Sequence, residues 1–546
     1  MLPVNQYYRS LNRAAAGPDP DAFIFTVQMI GGDSIRLPIS GTVNFTVDWG
    51  DGSSDIITSN TSPNRIHTFV SAGLYTISIL GTIQSWTMTQ PALGGGIPVA
   101  ERQKYRSIVN WGNLGTTTAN NAFNSCSNIN SIPSTPLTWS AVTVADSFFS
   151  GCASLTSIPN GFFSLMASLA VASSFFNACN LTAIPSGLFD NCPSLSTVAG
   201  IFLNNDVTSI PAGLFNNSPS ITSFASAFRG NLITTIPAGL FDNNTLATNF
   251  LDTFRLNPIT AIPSGLFNNN TAITSLAACF RNCNLTSIPS GLLDSLSNLT
   301  GIQQCFANNP SLSSIPTGFF NNNTALINLE NTFSSTSISS IPSGLFDNCP
   351  NITSFQATFA FTPLTSIPSG LFNNTTKVTT FFQTFYLTQI TSVPSGLFDN
   401  CPDVTNMGWV FRQTPITSLP TGLFNNNTKV TNFQALCSGC TSLTAIPTTL
   451  FNQTTLVTLY DQSFTNCANL SLNVSSLVLG MTMTAVATTN QMFSGCTLLT
   501  GNGGDLIAKP KAASYTVGTA PNTGSYRTFF NCVALTDFAT IPAAYK

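Results

Sequence analysis

The sequence predicts an α/β solenoid of about thirteen repeats, preceded by a small all-β sandwich. Three observations lead there. Leu-Thr-Ser-Ile-Pro-Ser-Gly-Leu-Phe stands at 364–372 and returns almost intact at 181–189 and 285–293. Its Ile-Pro pair recurs from Ile132 to Ile446 in steps of 26 residues, twice 27, and a fixed period of that length marks a repeat array. Upstream, Phe23–Val27 and Val43–Val47 alternate apolar and polar residues, the period of half-buried strands.

The chain then divides in order. Residues 1–20 are expected to form a polar N-terminal arm, with Ala14–Pro18 as a joint. Residues 21–88 carry the strands, the turn Asp48-Trp49-Gly50-Asp51-Gly52, His67-Thr68-Phe69 and Gly73-Leu74-Tyr75. Residues 89–118 are expected as connector and N-terminal cap, with Gly94–Gly96 as hinge and Trp111 among the capping groups, because a solenoid needs its first coil covered. Residues 119–470 form the array. In the unit 341–366, Pro342 opens a helical turn, and Ile352, Phe355 and Phe359 fall at i, i+3 and i+7, one face of a predicted second helix. Leu364–Ile367 is expected as a short parallel strand bent at the proline. Residues 471–546 lose the period and are expected as degenerate repeats and a C-terminal cap, with Gly501–Gly504 and Gly524–Tyr526 as inserted loops.

Two resemblances rest on these motifs. The Trp-Gly-Asp-Gly turn, His-Thr-Phe and Gly-Leu-Tyr resemble a PKD-type β-sandwich over 21–88, which implies a spacer or binding module. Leu-x-x-Ile-Pro-x-Gly-Leu-Phe followed by Ile-x-x-Phe is similar to leucine-rich repeats. The Phe-x-x-Cys and Val404–Met407 variants look like their BspA-like branch. That resemblance implies a surface protein of bacterial or phage origin that binds proteins, cells or matrix.

Composition narrows the functions. Only 7% of residues are charged and the net charge is −3, so no basic patch exists for nucleic acid. No apolar run reaches the roughly 18–20 residues of a membrane span, so no membrane insertion is expected. The first 23 residues hold Arg9, Arg13, Asp19 and Asp21, unlike a secretory leader. This directs the first expectation to a phage virion decoration or fibre, held to other virion or surface proteins through residues 1–88, with the array on host surface or neighbouring subunits. The alternative is a bacterial cell-surface adhesin or a self-assembling extracellular fibre, and a homo-oligomer is open to either.

Candidate sites lie in columns that the repeat aligns. Thr208, Thr234, Thr260 and Thr286 occupy one position, read as strand formers or as a hydroxyl stripe for a glycan or an ice lattice. Asn191, Asn217, Asn243, Asn269, Asn348, Asn374 and Asn400 occupy another, expected as a ladder bonded to turn backbones. Arg229, Arg255 and Arg281 share a third, read as solvated charges or as a cationic contact strip, and Tyr386, Trp409, Arg412 and Tyr460 vary nearby. The cysteines are expected to be buried fillers, with stacked pairs such as Cys126 and Cys152 near enough to bridge. Lone His67 is expected to be structural, and Asp48 and Asp51 to be turn residues. There is no nucleophile elbow, phosphate loop or second histidine, so no catalysis, cofactor or metal is expected.

Overall fold

The structure, a computed structural model, describes residues 19–89, 96–482, 487–507 and 527–546. Almost all of the expected arm, and the expected loops at Gly94-Gly95 and Gly524–Tyr526, lie outside these residues. The chain divides into two compact units, Met1–Ala247 and Thr248–Lys546.

The first unit opens with seven strands: β1 Phe23–Met29, β2 Ser34–Arg36, β3 Ile39–Asp48, β4 Ser54–Ile57, β5 Ile66–Thr68, β6 Gly73–Trp86 and β7 Tyr105–Asn110. They form a five-stranded antiparallel sheet in the order β4-β3-β6-β1-β7, and β2 and β5 pair separately. The period-two alternation has a direct cause. In β3, Val43, Phe45 and Val47 are buried while Asn44 points outward, as a pleated strand with one covered face requires.

Within residues 89–118, expected as connector and cap, Tyr105–Asn110 is a sheet strand that pairs with β1. The cap is therefore built from the sheet. Ser85 of β6 bridges Thr118 in parallel, and Ser107 of β7 bridges Ser131. Trp111 packs edge-on against Trp139, whose indole N–H donates to the Trp111 carbonyl at 3.1 Å. Phe23, Trp86, Phe123 and Phe148 complete this aromatic seam.

The repeats correct the predicted secondary structure. They contain no helix over Ile352–Phe359 and no strand over Leu364–Ile367; each coil is a stack of turns with an isolated parallel bridge. The bridge falls inside the segment expected to be helical, in the chain Asn328–Ser354–Thr380–Asn406. From there the N–H groups of Phe355, Ala357, Phe359 and Phe361 donate to carbonyls of Thr380, Phe382, Thr384 and Tyr386, at 2.8–3.1 Å. Intervening N–H groups close local turns, Thr358 to Phe355 at 3.1 Å and Ala360 to Ala357 at 3.2 Å. The alternation arises from left-handed residues four apart, Ala357 at φ 50° and Phe361 at φ 61°. Each interrupts the uniform right-handed φ that a helix needs and turns a peptide group toward the next coil. The first unit repeats the device at Ser174 and Ala178, φ 53° and 51°. Ile352, Phe355 and Phe359 remain fully buried, so the turn stack returns apolar side chains inward at helix-like spacing.

Two columns of buried polar side chains tie the coils together. Asn309 donates to the Phe280 and Phe306 carbonyls at 2.9 Å and accepts from the Leu285 N–H at 3.0 Å. At the corresponding place Cys283 donates its thiol to the Phe254 carbonyl at 3.3 Å, and Cys440 to Phe411 at 3.0 Å. In the second column Asn427 donates to Phe398 and Cys401 carbonyls at 3.0 and 2.9 Å. All fourteen cysteines are buried and free. Their burial fits the filler expectation, and many, such as Cys152, Cys283 and Cys440, also donate weakly to turn carbonyls; Cys126 and Cys152 do not bridge.

In the second unit, Asn473 caps the short helix Val474–Gly480 through the Ser476 N–H. The Asp537 carboxylate receives the N–H groups of Gly503 and Gly504 at 2.8 and 2.7 Å. The N–H of Phe529 donates to the Tyr545 carbonyl at 2.8 Å, which gives the final turn its backbone partner.

Candidate binding face

Each coil exposes the same faces, so a site must be sought where the sequence departs from the repeat. The threonine column is exposed at Thr208, Thr234, Thr260 and Thr286. Its hydroxyls are partly spent on backbone: Thr286 Oγ1 donates to the Thr260 carbonyl at 3.4 Å and Thr444 Oγ1 to Thr417 at 3.1 Å. The sequence reading missed a second column, Thr353, Thr379, Thr405 and Thr431, whose hydroxyls donate to the preceding coil at 3.1–3.2 Å. Its signal was the Thr before each bridging residue.

The asparagine column makes exposed side-chain bonds between coils. Asn243 donates to the Asn216 carbonyl at 3.0 Å, Asn348 to Asn321 at 3.1 Å and Asn374 to Asp347 at 2.9 Å. Asn217 donates instead to the Asp190 carboxylate at 3.2 Å. Asn191, Asn269 and Asn400 occupy the same place on exposed turns. One residue earlier, the chain strictly alternates Asp190, Asn216, Asp242, Asn268, Asp294, Asn321, Asp347, Asn373, Asp399 and Asn425. Stacked coils lie about 5 Å apart, where adjacent carboxylates repel; alternation gives each an amide neighbour instead. This pattern too was present in the sequence and unread.

The arginines of the third column do not form a free cationic strip. Arg255 pairs with Asp252 in its own coil at 3.4 Å, and Arg281 donates to the Gln304 side chain. Arg229 is half-buried in the first unit. Tyr460 leaves the candidate set because it is fully buried against Phe451, which pushes its hydroxyl pKa up.

Four aromatics and one arginine remain, from consecutive coils of the second unit. Phe361 is 49% exposed, and Phe382, Tyr386, Trp409 and Arg412 are half-buried. Phe361 meets Tyr386 at 4.9 Å, Tyr386 meets Trp409 at 5.6 Å and Phe382 meets Trp409 at 6.1 Å. The Arg412 guanidinium lies 3.8 Å over the Trp409 ring and 5.6 Å from that of Tyr386.

His67 stacks on Trp49 with centroids 4.6 Å apart and bonds Asp51 Oδ2 through Nε2 at 2.7 Å. Asp48 and Asp51 receive the N–H groups of Gly50 and Ser53, each at 3.0 Å, as turn residues do. Among the described residues no cluster of His, Cys, Asp or Glu is placed to hold a metal, and no helix is long and apolar enough to cross a membrane.

Among curated proteins none matches this sequence. Among solved structures, the leucine-rich repeat ectodomain of the receptor kinase GASSHO1/SCHENGEN3 from Arabidopsis thaliana is 15% identical, with TM-score 0.41 over 78% of this chain and 60% of that one. Toll in its Drosophila complex with Spatzle is 16% identical, with TM-score 0.41 over 78% and 58%. The APL1 leucine-rich repeat domain is 14% identical, with TM-score 0.41 over 67% and 85%. This chain thus spans less than two thirds of the first two. A family model for the BspA type leucine rich repeat region matches residues 157–279, 256–364 and 339–471, more than half of the chain. The chain belongs to the BspA-type leucine-rich repeat family.

Proposed function

We propose that this protein is displayed outside the cell, on a bacterial surface or as an extracellular fibre subunit, and works as an adhesin. The family supports surface binding, and it supports a cell-surface setting better than a virion one. In this reading residues 21–88 act as a PKD-like spacer, residues 1–88 join neighbouring surface proteins, and the coils are presented outward.

One observation carries the reading. The repeat holds its core, turn and ladder positions nearly constant, while in the second unit one partly exposed face varies from small residues to Arg255, Tyr386, Trp409 and Arg412. Variation on a rigid, repeated scaffold supports recognition through that face. Sparse charge limits long-range steering, so contact rather than attraction over distance sets partner choice.

The test is surface proteolysis of intact cells of the source culture, followed by immunodetection with antibody to residues 119–470. Loss of signal from intact cells is expected. Signal lost only after lysis, or immunogold label confined to phage particles, would overturn the proposal.

A further inference from the structure

We propose that Phe361, Tyr386, Trp409 and Arg412 form a binding site for a carboxylate-bearing glycan. This rests on the surface-binding reading above and specifies the ligand class.

The first argument is backbone cost. Phe361 and Trp409 occupy left-handed positions, φ 61° and 60°, where a bulky side chain is unfavourable by about 1–2 kcal/mol. Corresponding positions in other coils include Gly200, Gly230, Asn282, Asn308 and Gly439, residues that tolerate this conformation, and also Leu256, Gln383 and Leu387, so the left-handed φ belongs to every coil and the aromatic rings are what mark this place. The left-handed turn serves the fold, but a large ring there adds a backbone cost that Gly or Asn avoids, and that extra cost supports a role for the rings beyond folding.

The second argument is the state of Arg412. Its guanidinium stacks on Trp409, and its Nε is buried without a hydrogen-bond partner. It makes no ion pair among the described residues. Acids elsewhere on this face of the second unit are engaged: Asp252 with Arg255, Glu330 with Gln356, and Asp461 with Asn490. A stacked guanidinium is held flat with its outer N–H groups presented in a fork that matches a carboxylate.

The third argument is the surroundings. The platform is a short row of rings in coils that also carry Gln383 and Gln413, and the Gln434 backbone carbonyl accepts the Trp409 N–H at 2.8 Å; glutamine side chains are neutral amides that donate and accept. Protein partners bury about 800 Å² per side over an apolar centre, and three rings do not supply that. Ring faces fit the C–H faces of pyranoses, the amides fit their hydroxyls, and Arg412 selects a carboxylated sugar.

The experiment applies the full-length chain to an array of neutral, sulfated and carboxylated oligosaccharides. The carboxylated set includes terminal nonulosonic acids and internal uronates, which separates the two sources of the same chemistry. Binding to one carboxylated class at least tenfold above its neutral analogue is expected, and Trp409→Asn and Arg412→Gln should each lower it at least tenfold. Trp409→Asn relieves a strained backbone, so its thermal midpoint should equal or exceed that of the parent. Equal binding of neutral and acidic glycans, preference for sulfate, binding of an acidic peptide alone, or retained binding by Trp409→Asn would each overturn the site. An empty array with surface proteolysis positive would remove this inference and leave the surface role standing; a positive array with no surface exposure would do the reverse.

Discussion

The sheet of residues 23–110 and the coils that follow meet the same demand, a partner for every buried backbone group, in different ways. Sheet strands pair along their length: β1 and β6 keep register over seven residues, from Phe23 opposite Ile79 to Met29 opposite Gly73. Their core is apolar, and Thr26 is the one buried polar side chain of the described strands. The coils pair alternate N–H groups only, and buried Asn, Thr and Cys side chains bind carbonyls that the turns leave over. The sheet therefore owes its integrity to backbone register, and the coils to side chains that remain protonated and correctly shaped.

Alkaline pH should break this comparison most strongly. The sheet has no cysteine, since the first is Cys126. In the coils burial pushes thiols up, Cys179, Cys192, Cys349 and Cys401 to about 12 from 9.0. A pKa raised on folding contributes stability that is complete below 9 and is lost as pH rises toward 12. At pH 10 the loss is about 1 kcal/mol for each such thiol. Hydrogen exchange between pH 8 and 10 should show coil amides losing protection before those of β1 and β6. Simultaneous loss in both regions would contradict the distinction.

Single substitutions act on the same contrast with smaller effect. Asn309→Leu leaves the Phe280 and Phe306 carbonyls and the Leu285 N–H unpaired, at a cost of about 3 kcal/mol. Asn309→Cys keeps a donor that this column accepts elsewhere and should cost about 1 kcal/mol. Urea midpoints compare the two, and equal losses would show that the column needs volume rather than a donor. Gly344 has φ 69°, and an added Cβ would lie 2.8 Å from Asp347 Oδ2. Gly344→Ala should cost about 1–2 kcal/mol. Gly73→Ala in the sheet meets only Tyr75 ring atoms at 3.4 Å or more and should be nearly neutral by the same measurement. Asn373→Asp would set three carboxylates in a row with Asp347 and Asp399, costing about 1 kcal/mol, less at high salt. A loss unaffected by 1 M salt would rule out repulsion as its cause.

What could be read from the chain follows the same division. In β3 the extended conformation runs unbroken from Val43 to Asp48, beyond the irregularity at Gly41, so side-chain alternation reports it directly there. In the coils the spacing of Ile352, Phe355 and Phe359 reports which side chains face inward and not how the backbone gets there. A left-handed φ at Ala357 or Phe361 has no signature in an alanine or a phenylalanine. The repeat length, the buried faces and the asparagine column were legible because each is carried by residue type. The platform at Phe361, Tyr386 and Trp409 was legible only in part. Its residues come from three coils and lie 23 to 25 residues apart, and Tyr460, two coils beyond Trp409, varied in the same way but packs inward.

A further small effect lies in the sheet and runs the other way in pH. Burial raises the Asp51 carboxyl, but donations from Ser53 and His67 outweigh it and bring the pKa to about 2 from 3.8. A depressed carboxylate stabilises the folded state fully above about pH 4, and that contribution is lost as pH falls through 2. Asp51 lies on an exposed turn, so solvent screening holds its share to about 1 kcal/mol. Asp51→Asn should remove this share at pH 7 and leave stability at pH 2 nearly unchanged, read as the difference between variant and parent thermal midpoints across that range. Because the bond partner is His67 stacked on Trp49, the same titration should move indole fluorescence of the sheet. A variant whose midpoint difference persists at pH 2 would place the role of Asp51 in the shape of its turn, through the Ser53 N–H, rather than in its charge.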